Sequence, residues 1–237
     1  MKTAADVVVR SGHATHVGHR REANEDALLC ADPVFVVADG MGGYAGGADA
    51  SRIIIETFAA SRLPGLSFPE VTVEEVSGLL QAASQRITEE TLAAGSTATG
   101  AVLVTCDGVP NWLVFNVGDS RTYLIRDGEF GQLTTDHSLV QMWVDAGHIT
   151  REEARIHPRR NAITRSLGRG QGDSADFTAE SVGADHEPVS RLHWNQPEIG
   201  VGVVAGAQGP GDHVAPGMDQ RLVRGDLAKV DQFLHLA

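Results

Sequence analysis

The chain has 237 residues, 42% of them hydrophobic and 21% charged, and its formal net charge at pH 7 is −12. This length and balance are typical of one globular domain with a well-buried core, which excludes a disordered chain. Because the chain is acidic and has no run of Lys or Arg, a nucleic-acid partner is not expected. No apolar signal core or membrane-length segment is present, so we expect a cytoplasmic protein with no membrane partner.

The first half of the chain alternates between short apolar runs and amphipathic stretches. Residues 27–38 predict two strands joined by a turn at Asp32-Pro33. Apolar stripes at helical spacing predict helices over about 47–61 and 73–93. Four strand-like runs follow, separated by hairpin turns at Asp107-Gly108 and Asp127-Gly128, and they cover residues 99–105, 112–117, 122–125 and 131–134.

Helix-capping residues predict two further short helices, after which the pattern weakens. Asp136 is expected to cap a helix that runs through Val144, and Thr150-x-x-Glu153 has the form of a capping box. Beyond Gly168, residues 199–205 resemble a strand and residues 219–236 a modest amphipathic helix. The two cysteines, Cys30 and Cys106, lie in strand-like contexts and are expected to be reduced core thiols.

The most informative feature is an aspartate that ends an apolar run, in the sequence Val36-Val-Ala-Asp39-Gly40-Met-Gly-Gly43. Asp26 lies thirteen residues upstream, at the start of the preceding strand. Carboxylates at the ends of neighbouring strands, beside a bare glycine backbone, are suitable ligands for a hard divalent cation. Asp39 can bridge two ions, Asp26 can add a second carboxylate, and the Gly40 carbonyl can approach a metal or a metal-bound water.

Two further residues fit the same chemistry. Arg21, five residues before Asp26, can offer a bidentate fork to a phosphate oxygen, and Glu25 can orient bound waters. Asp119 supplies a third acid at a strand end, within Gly118-Asp-Ser-Arg121. Taken singly, each residue is better interpreted as a turn, a solvated loop or a surface charge. Their joint order and their placement at strand ends favour a metal site.

Other kinds of site are poorly supported. The ten histidines have no zinc-like spacing with the cysteines, and His137 and His157 are expected to be structural or solvent-facing. Ser96 and Ser120 lack a Gly-x-Ser-x-Gly elbow, which argues against a serine hydrolase. The glycines after Asp39 are not followed by Gly-Lys-Ser/Thr, which argues against an NTPase.

Six segments together carry a family resemblance that covers about residues 15–168. The chain resembles the bacterial metal-dependent protein phosphatases (the PPM family, or type 2C Ser/Thr phosphatases). The matching segments are Gly18-x-x-Arg21-x-x-Asn24-Glu25-Asp26, Val37-Ala38-Asp39-Gly40-Met41-Gly42-Gly43, Gly95-Ser96-Thr97-Ala98, Asn116-Val117-Gly118-Asp119-Ser120-Arg121, the flap-like stretch from Thr135-Asp136-His137-Ser138 to His157-Pro158-Arg159-Arg160, and Thr164-Arg165-Ser166-Leu167-Gly168.

The resemblance implies an α+β fold, a four-layer αββα sandwich of two antiparallel sheets flanked by helices. It also implies two Mn²⁺ or Mg²⁺ ions held by Asp39, Gly40 and Asp26, and a third, weaker ion at Asp119. A metal-bridged hydroxide would then hydrolyse phosphoserine or phosphothreonine while Arg21 holds the phosphate. The implied partners are phosphorylated proteins, such as a Ser/Thr kinase or its substrates.

The C-terminal part departs from the family. The family carries Ser-Asp-Gly and Asp-Asn motifs there, both contributing metal ligands, and neither motif occurs after residue 168. We therefore predict a phosphatase-like catalytic core at 1–168 and a divergent, incomplete segment of the same domain at 169–237, where Asp219 and Asp212 are weak candidate ligands. Two functions stay open: an active phosphatase, or a catalytically silent module that binds phosphorylated partners.

Overall fold

The computed structural model describes residues 9, 11–18, 21–42, 46–66, 71–106, 109–126, 129–169, 174–181 and 200–204. Within these ranges the chain is a mixed α+β protein with two antiparallel sheets and four helices. Its elements in chain order are β1 (Asp26–Ala31), β2 (Val34–Met41), α1 (Gly46–Ala59), α2 (Val73–Glu90), β3 (Gly95–Ser96), β4 (Ala98–Cys106), β5 (Val109–Val117), β6 (Arg121–Arg126), β7 (Glu129–Gln132), α3 (Leu139–Asp145), α4 (Arg151–Ile156), β8 (Asp176–Ser181) and β9 (Gly200–Val204).

The larger sheet has the strand order β1-β2-β4-β5-β8, and β3 pairs with the end of β2. Burial alternates strictly along β2, so that Val34, Val36 and Ala38 point to one face of the sheet. On that face α1 and α2 cover the main core, in which Phe58 of α1 stacks on Phe115 of β5 with ring centroids 5.5 Å apart. Each such fully buried side chain contributes about 1.5–3 kcal/mol of hydrophobic stabilisation.

The opposite face of this sheet packs against the smaller sheet, β7-β6-β9. A second apolar cluster lies on that face and includes Leu103, Trp112 and Val114. A buried hydrogen bond also joins the two sheets, because the hydroxyls of Thr99 and Thr122 lie 3.0 Å apart. The candidate ligands stand at the ends of strands in this arrangement.

Most of the predicted elements are confirmed. The two long helices occupy Gly46–Ala59 and Val73–Glu90, and the predicted strands correspond to β1, β2 and β4–β7. The capping box is also present, with Thr150 accepting from the Glu153 N–H and Glu153 accepting from the Thr150 N–H. The Asp-Gly pairs at 107–108 and 127–128 lie outside the described residues, although the strands that flank them pair antiparallel.

The prediction that Asp136 caps α3 is wrong. The N-cap is Ser138, whose hydroxyl accepts from the Gln141 N–H, and the helix runs over Leu139–Asp145. Asp136 instead forms a two-point ion pair with Arg121, with N–O distances of 2.8 and 2.5 Å. A bidentate, half-buried guanidinium is a stronger partner for a carboxylate than a helix N-terminus.

Cys106 also departs from the prediction. Both cysteines are free, but Cys106 is exposed; it is the last residue of β4 and pairs with Val109, at the end of the hairpin where β4 connects to β5. Cys30, inside β1, is half-buried.

In the described residues beyond Gly168 there are two strands. The predicted strand at 199–205 is present as β9, which pairs with β6. β8 was not predicted; it pairs along β5 at the edge of the larger sheet. The helix predicted at 219–236 and the candidates Asp212 and Asp219 lie outside the described residues. In the part of the chain that is described, no helix is both long and apolar enough to cross a membrane.

We expect Asp136→Ala to lower the free energy of unfolding by about 3 kcal/mol, because it leaves the half-buried Arg121 guanidinium without its partner. Ser138→Ala is the matched control and should lower it by only about 1 kcal/mol through loss of the cap. Urea unfolding followed by circular dichroism measures both. Equal losses in the two variants would contradict the ion-pair assignment.

Candidate metal and phosphate site

The two central carboxylates meet at the end of the β1–β2 pair. Asp26 and Asp39 are direct cross-strand partners in the antiparallel register, and both are half-buried. Like charges placed directly opposite each other on neighbouring strands are destabilising. The register therefore brings together the two residues that the sequence predicts as ligands, although the strand pairing itself does nothing to offset their mutual repulsion.

The pKa values of the three acids reflect this crowding. Burial, and then repulsion from Asp26 and Asp119, raises the pKa of Asp39 to about 7. Burial also raises the pKa of Asp26, against the opposing effects of a hydrogen bond with Asp39 and the charge of Arg21. The pKa of Asp119 is raised to about 6, mainly by burial and then by Asp136. Clustered carboxylates with raised pKa values are typical of functional sites.

The donor set suits a divalent cation. Two adjacent carboxylates are hard oxygen ligands, and a bound cation would relieve their repulsion. Asp119 lies close enough to raise the pKa of Asp39 through its charge, so the third predicted acid belongs to the same region. Among the described residues, however, no group of three or more His, Cys, Asp or Glu side chains is arranged to hold a metal ion. Metal binding by Asp26, Asp39, Gly40 and Asp119 stays a prediction.

Gly40 lies where no other residue fits. A Cβ atom at this position would lie 1.9 Å from the carbonyl oxygen of Gly47 and 2.8 Å from that of Glu25. The Gly40 N–H donates to the Glu25 carbonyl over 3.0 Å, and the Ser51 hydroxyl donates to the same carbonyl over 2.6 Å. The start of α1 is thus packed directly on the strand end that carries Asp39.

Arg21 stands at the rim of this region. Its guanidinium pairs with Glu25 over 2.6 Å, and its side chain is 61% exposed while that of Glu25 is 17% exposed. Its positive charge lowers the pKa of both Asp26 and Asp39, so it lies near the pair. Arg21 therefore presents an exposed guanidinium, paired with Glu25, beside a group of carboxylates, and its binding of phosphate stays a prediction.

Hydroxyl groups on either side of Asp39 were not predicted as parts of the site. The Asp39 N–H donates to the Thr97 hydroxyl over 3.0 Å, and the Asp39 carbonyl accepts from the Thr97 N–H and from the Ser96 hydroxyl over 2.9 Å each. The Thr97 hydroxyl also lies 2.7 Å from that of Ser120. Thr97 therefore connects the segments that carry Asp39 and Asp119. The Gly95–Ala98 motif was the available signal, because it is one of the segments that carry the family resemblance.

Comparisons with known proteins find relatives of this chain. A family model described as Protein phosphatase 2C matches residues 15–143. The chain is 31% identical over 176 residues to the protein phosphatase PhpP of Streptococcus pneumoniae, covering 69% of each protein. It is 35% identical over 164 residues to the serine/threonine protein phosphatase PstP of Mycobacterium tuberculosis, covering 68% of this chain and 31% of that protein.

Solved structures are similar as well. The Streptococcus agalactiae serine/threonine phosphatase has a TM-score of 0.70 at 25% identity, covering 92% of this chain and 88% of that one. The catalytic domain of a PstP in complex with two manganese ions has a TM-score of 0.59 at 31% identity, covering 70% of each chain.

We expect Gly40→Ala to be strongly destabilised, because the added methyl group would overlap backbone atoms of Gly47 and Glu25 that cannot move without shifting α1. A loss of more than about 3 kcal/mol in the free energy of unfolding is expected. Gly78→Ala, inside α2 where a Cβ meets no atom within 4 Å, is the matched control. It should gain up to about 1 kcal/mol. A Gly40→Ala protein as stable as the native chain would refute the packing.

In metal-free protein, Asp39→Asn is expected to raise the free energy of unfolding by on the order of 2 kcal/mol at about pH 8. The folded chain raises the pKa of Asp39 to about 7 from an ordinary value of 3.8. Ionised Asp39 therefore destabilises the fold above that pKa, and the penalty disappears as the pH falls towards the unfolded value. The gain in Asp39→Asn should shrink accordingly.

Urea unfolding in EDTA between about pH 8 and pH 5 measures this dependence. Asp49→Asn, at an exposed site in α1, is the control. A gain that is constant with pH would show that the ionisation of Asp39 is not its source.

Proposed function

Because the chain belongs to the protein phosphatase 2C family, we propose that it is a metal-dependent phosphoprotein phosphatase that hydrolyses phosphoserine and phosphothreonine. The observation that carries the proposal is the cross-strand pair of Asp26 and Asp39, two half-buried carboxylates with raised pKa values at one strand end. Such a pair destabilises the metal-free fold, which makes a structural role a poor explanation for it.

The residues take distinct roles in this proposal. Asp39 and Asp26 would hold two Mn²⁺ or Mg²⁺ ions, the Gly40 carbonyl would add a ligand, and Asp119 would hold a third ion. When bound, these cations lower the pKa of an attacking water and neutralise charge on the phosphate. The absence of a Cβ at Gly40 lets the backbone of Gly47 and Glu25 pack against it, and Thr97 fixes the Asp39 backbone on both sides.

Arg21 is the proposed phosphate-binding residue. Its guanidinium offers a planar fork that matches two phosphate oxygens, and its exposure leaves it accessible to a phosphorylated side chain of another protein. The named relatives act as serine/threonine or protein phosphatases, which supports phosphorylated proteins, such as a Ser/Thr kinase or its substrates, as partners.

The finer architecture belongs to the same proposal. The proposed αββα sandwich is supported by helices that cover one face of two packed sheets in the described residues. We keep residues 1–168 as the predicted catalytic core and 169–237 as a divergent, incomplete segment of the same domain.

A second candidate function is a catalytically silent module that binds phosphorylated proteins. Two observations favour it: the sequence lacks Ser-Asp-Gly and Asp-Asn after residue 168, and the described residues contain no ready group of three metal-ligating side chains. Fewer carboxylate ligands weaken the affinity for a divalent cation. Such a module would keep the exposed Arg21 and bind phosphate without turnover.

Hydrolysis of p-nitrophenyl phosphate across a Mn²⁺ titration decides between the two functions. We expect the native chain to turn over only with added metal and Asp39→Asn to lose this activity. Arg21→Ala should raise KM about tenfold or more, because it removes a charged hydrogen bond to the phosphate. Asp49→Asn, which changes no residue of the proposed site, should behave as the native chain does.

Other outcomes discriminate as clearly. A folded native chain that binds a phosphoserine peptide but shows no turnover at any Mn²⁺ concentration would favour the silent module. Full turnover in Asp39→Asn would refute the assignment of Asp39.

A further inference from the structure

His137 lies between the candidate site and the strand β8. It is buried, with 6% of its side chain exposed, just before α3. Its backbone N–H donates to the Gly118 carbonyl over 2.8 Å, and its Nδ1 accepts from the Gly118 N–H over 3.1 Å. One histidine therefore binds both the donor and the acceptor of the residue that directly precedes Asp119.

The other ring nitrogen of His137 faces an acid. Its Nε2 lies 3.0 Å from Asp176 Oδ2, and Arg165 donates to Asp176 Oδ1 over 2.8 Å while lying 3.3 Å from Nε2. The Gly118 N–H requires an unprotonated Nδ1, so the proton of the neutral ring lies on Nε2 and points to Asp176. Asp176, to which Arg165 donates through Oδ1, thus favours the tautomer that can accept from the Gly118 N–H.

The backbone of Gly118, which His137 contacts, is also restricted by its own conformation and by Thr97. Its φ is +105°, and a Cβ there would lie 2.5 Å from Thr97 Cγ2. On the far side of Asp119, Ser120 is bound to the Thr97 hydroxyl over 2.7 Å, and Thr97 binds the Asp39 backbone. Asp119 is therefore anchored on both sides, by His137 through Gly118 and by Thr97 through Ser120.

We infer that His137 is a positioning residue, which sets the Asp119 carboxylate relative to Asp39 by fixing the peptide of Gly118. The inference rests on the proposed function, in which Asp119 holds a metal ion. The simpler alternative is that His137 only fastens β8 to the segment before α3, through Asp176. The two roles use different ring nitrogens, so they can be separated by substitution.

Two substitutions of His137 each preserve one contact of the ring and remove the other. In His137→Asn the side-chain oxygen can occupy the place of Nδ1 and accept from Gly118, while contact with Asp176 is lost. In His137→Gln the longer amide can reach the place of Nε2 and bind Asp176, while the acceptor for Gly118 is lost. Both variants remove the ring, so any general loss of packing affects both.

The first measurement uses metal-free, ¹⁵N-labelled protein. We expect the native imidazole to show an unprotonated Nδ1 and a protonated Nε2, and the Gly118 amide to exchange slowly with solvent. His137→Asn should keep that protection and His137→Gln should lose it. A protonated Nδ1 in the native ring, or equal protection in both variants, would overturn the inference.

The second measurement is calorimetric titration with Mn²⁺ alone. His137→Gln should weaken the weakest binding step about tenfold relative to the native chain, as changes to supporting residues of metal sites do, whereas His137→Asn should stay close to native. Equal Mn²⁺ affinities would overturn the positioning role. Failure of the native chain to bind Mn²⁺ would refute the proposed function and with it the role toward Asp119, while the amide-exchange result would still report on the Gly118 contact.

Discussion

The electrostatic repulsion between Asp26 and Asp39 is the constraint that the surrounding structure has to withstand. Two carboxylates held opposite each other and half-buried would separate if their strands could slide or splay. They are held mainly by backbone contacts: Gly40 against Glu25 and α1 on one side, and Thr97 on the other. The apolar core formed by β2 and the helices stabilises the fold and offsets the repulsion between the two carboxylates. Functional sites commonly destabilise a protein locally, and the well-packed remainder of the fold compensates for that loss.

Local patterns predicted the parts of the fold that local interactions decide. The helices α1 and α2 follow from apolar periodicity, and the Thr150 capping box depends on residues three positions apart. Asp136 failed as a predicted cap because its partner, Arg121, is fifteen residues away and offers two hydrogen bonds at once. Strand β8 alternates polar and apolar residues, but its short apolar set gave no strong signal. Its pairing with β5 at the sheet edge makes it a strand.

The candidate site, like the fold, could be predicted from the sequence only in part. The nearness of Asp26 and Asp39 follows from two strands joined by a tight turn, which sequence alone can predict. The connection through Thr97 and Ser120 could not be read from the sequence, because Thr97 lies 58 positions beyond Asp39 and Ser120 a further 23. These residues meet only when β4 and the β5–β6 turn pack together. The ring contacts of His137 with Asp176 are likewise set by the pairing of β8 with β5, across 39 residues.

The ion pair between Arg21 and Glu25 has a consequence for which anions this chain can select. Any anion that binds the Arg21 guanidinium as a fork competes with a carboxylate already in place, held 2.6 Å away on a less exposed side chain. A singly charged anion gains little from that exchange, since it replaces one negative charge with another of the same size. A doubly charged anion gains more from the Coulomb attraction. In the proposed role of Arg21 as the phosphate-binding residue, the pair would therefore act as an internal competitor that favours phosphate monoesters, which are dianions near neutral pH, over diesters and carboxylates.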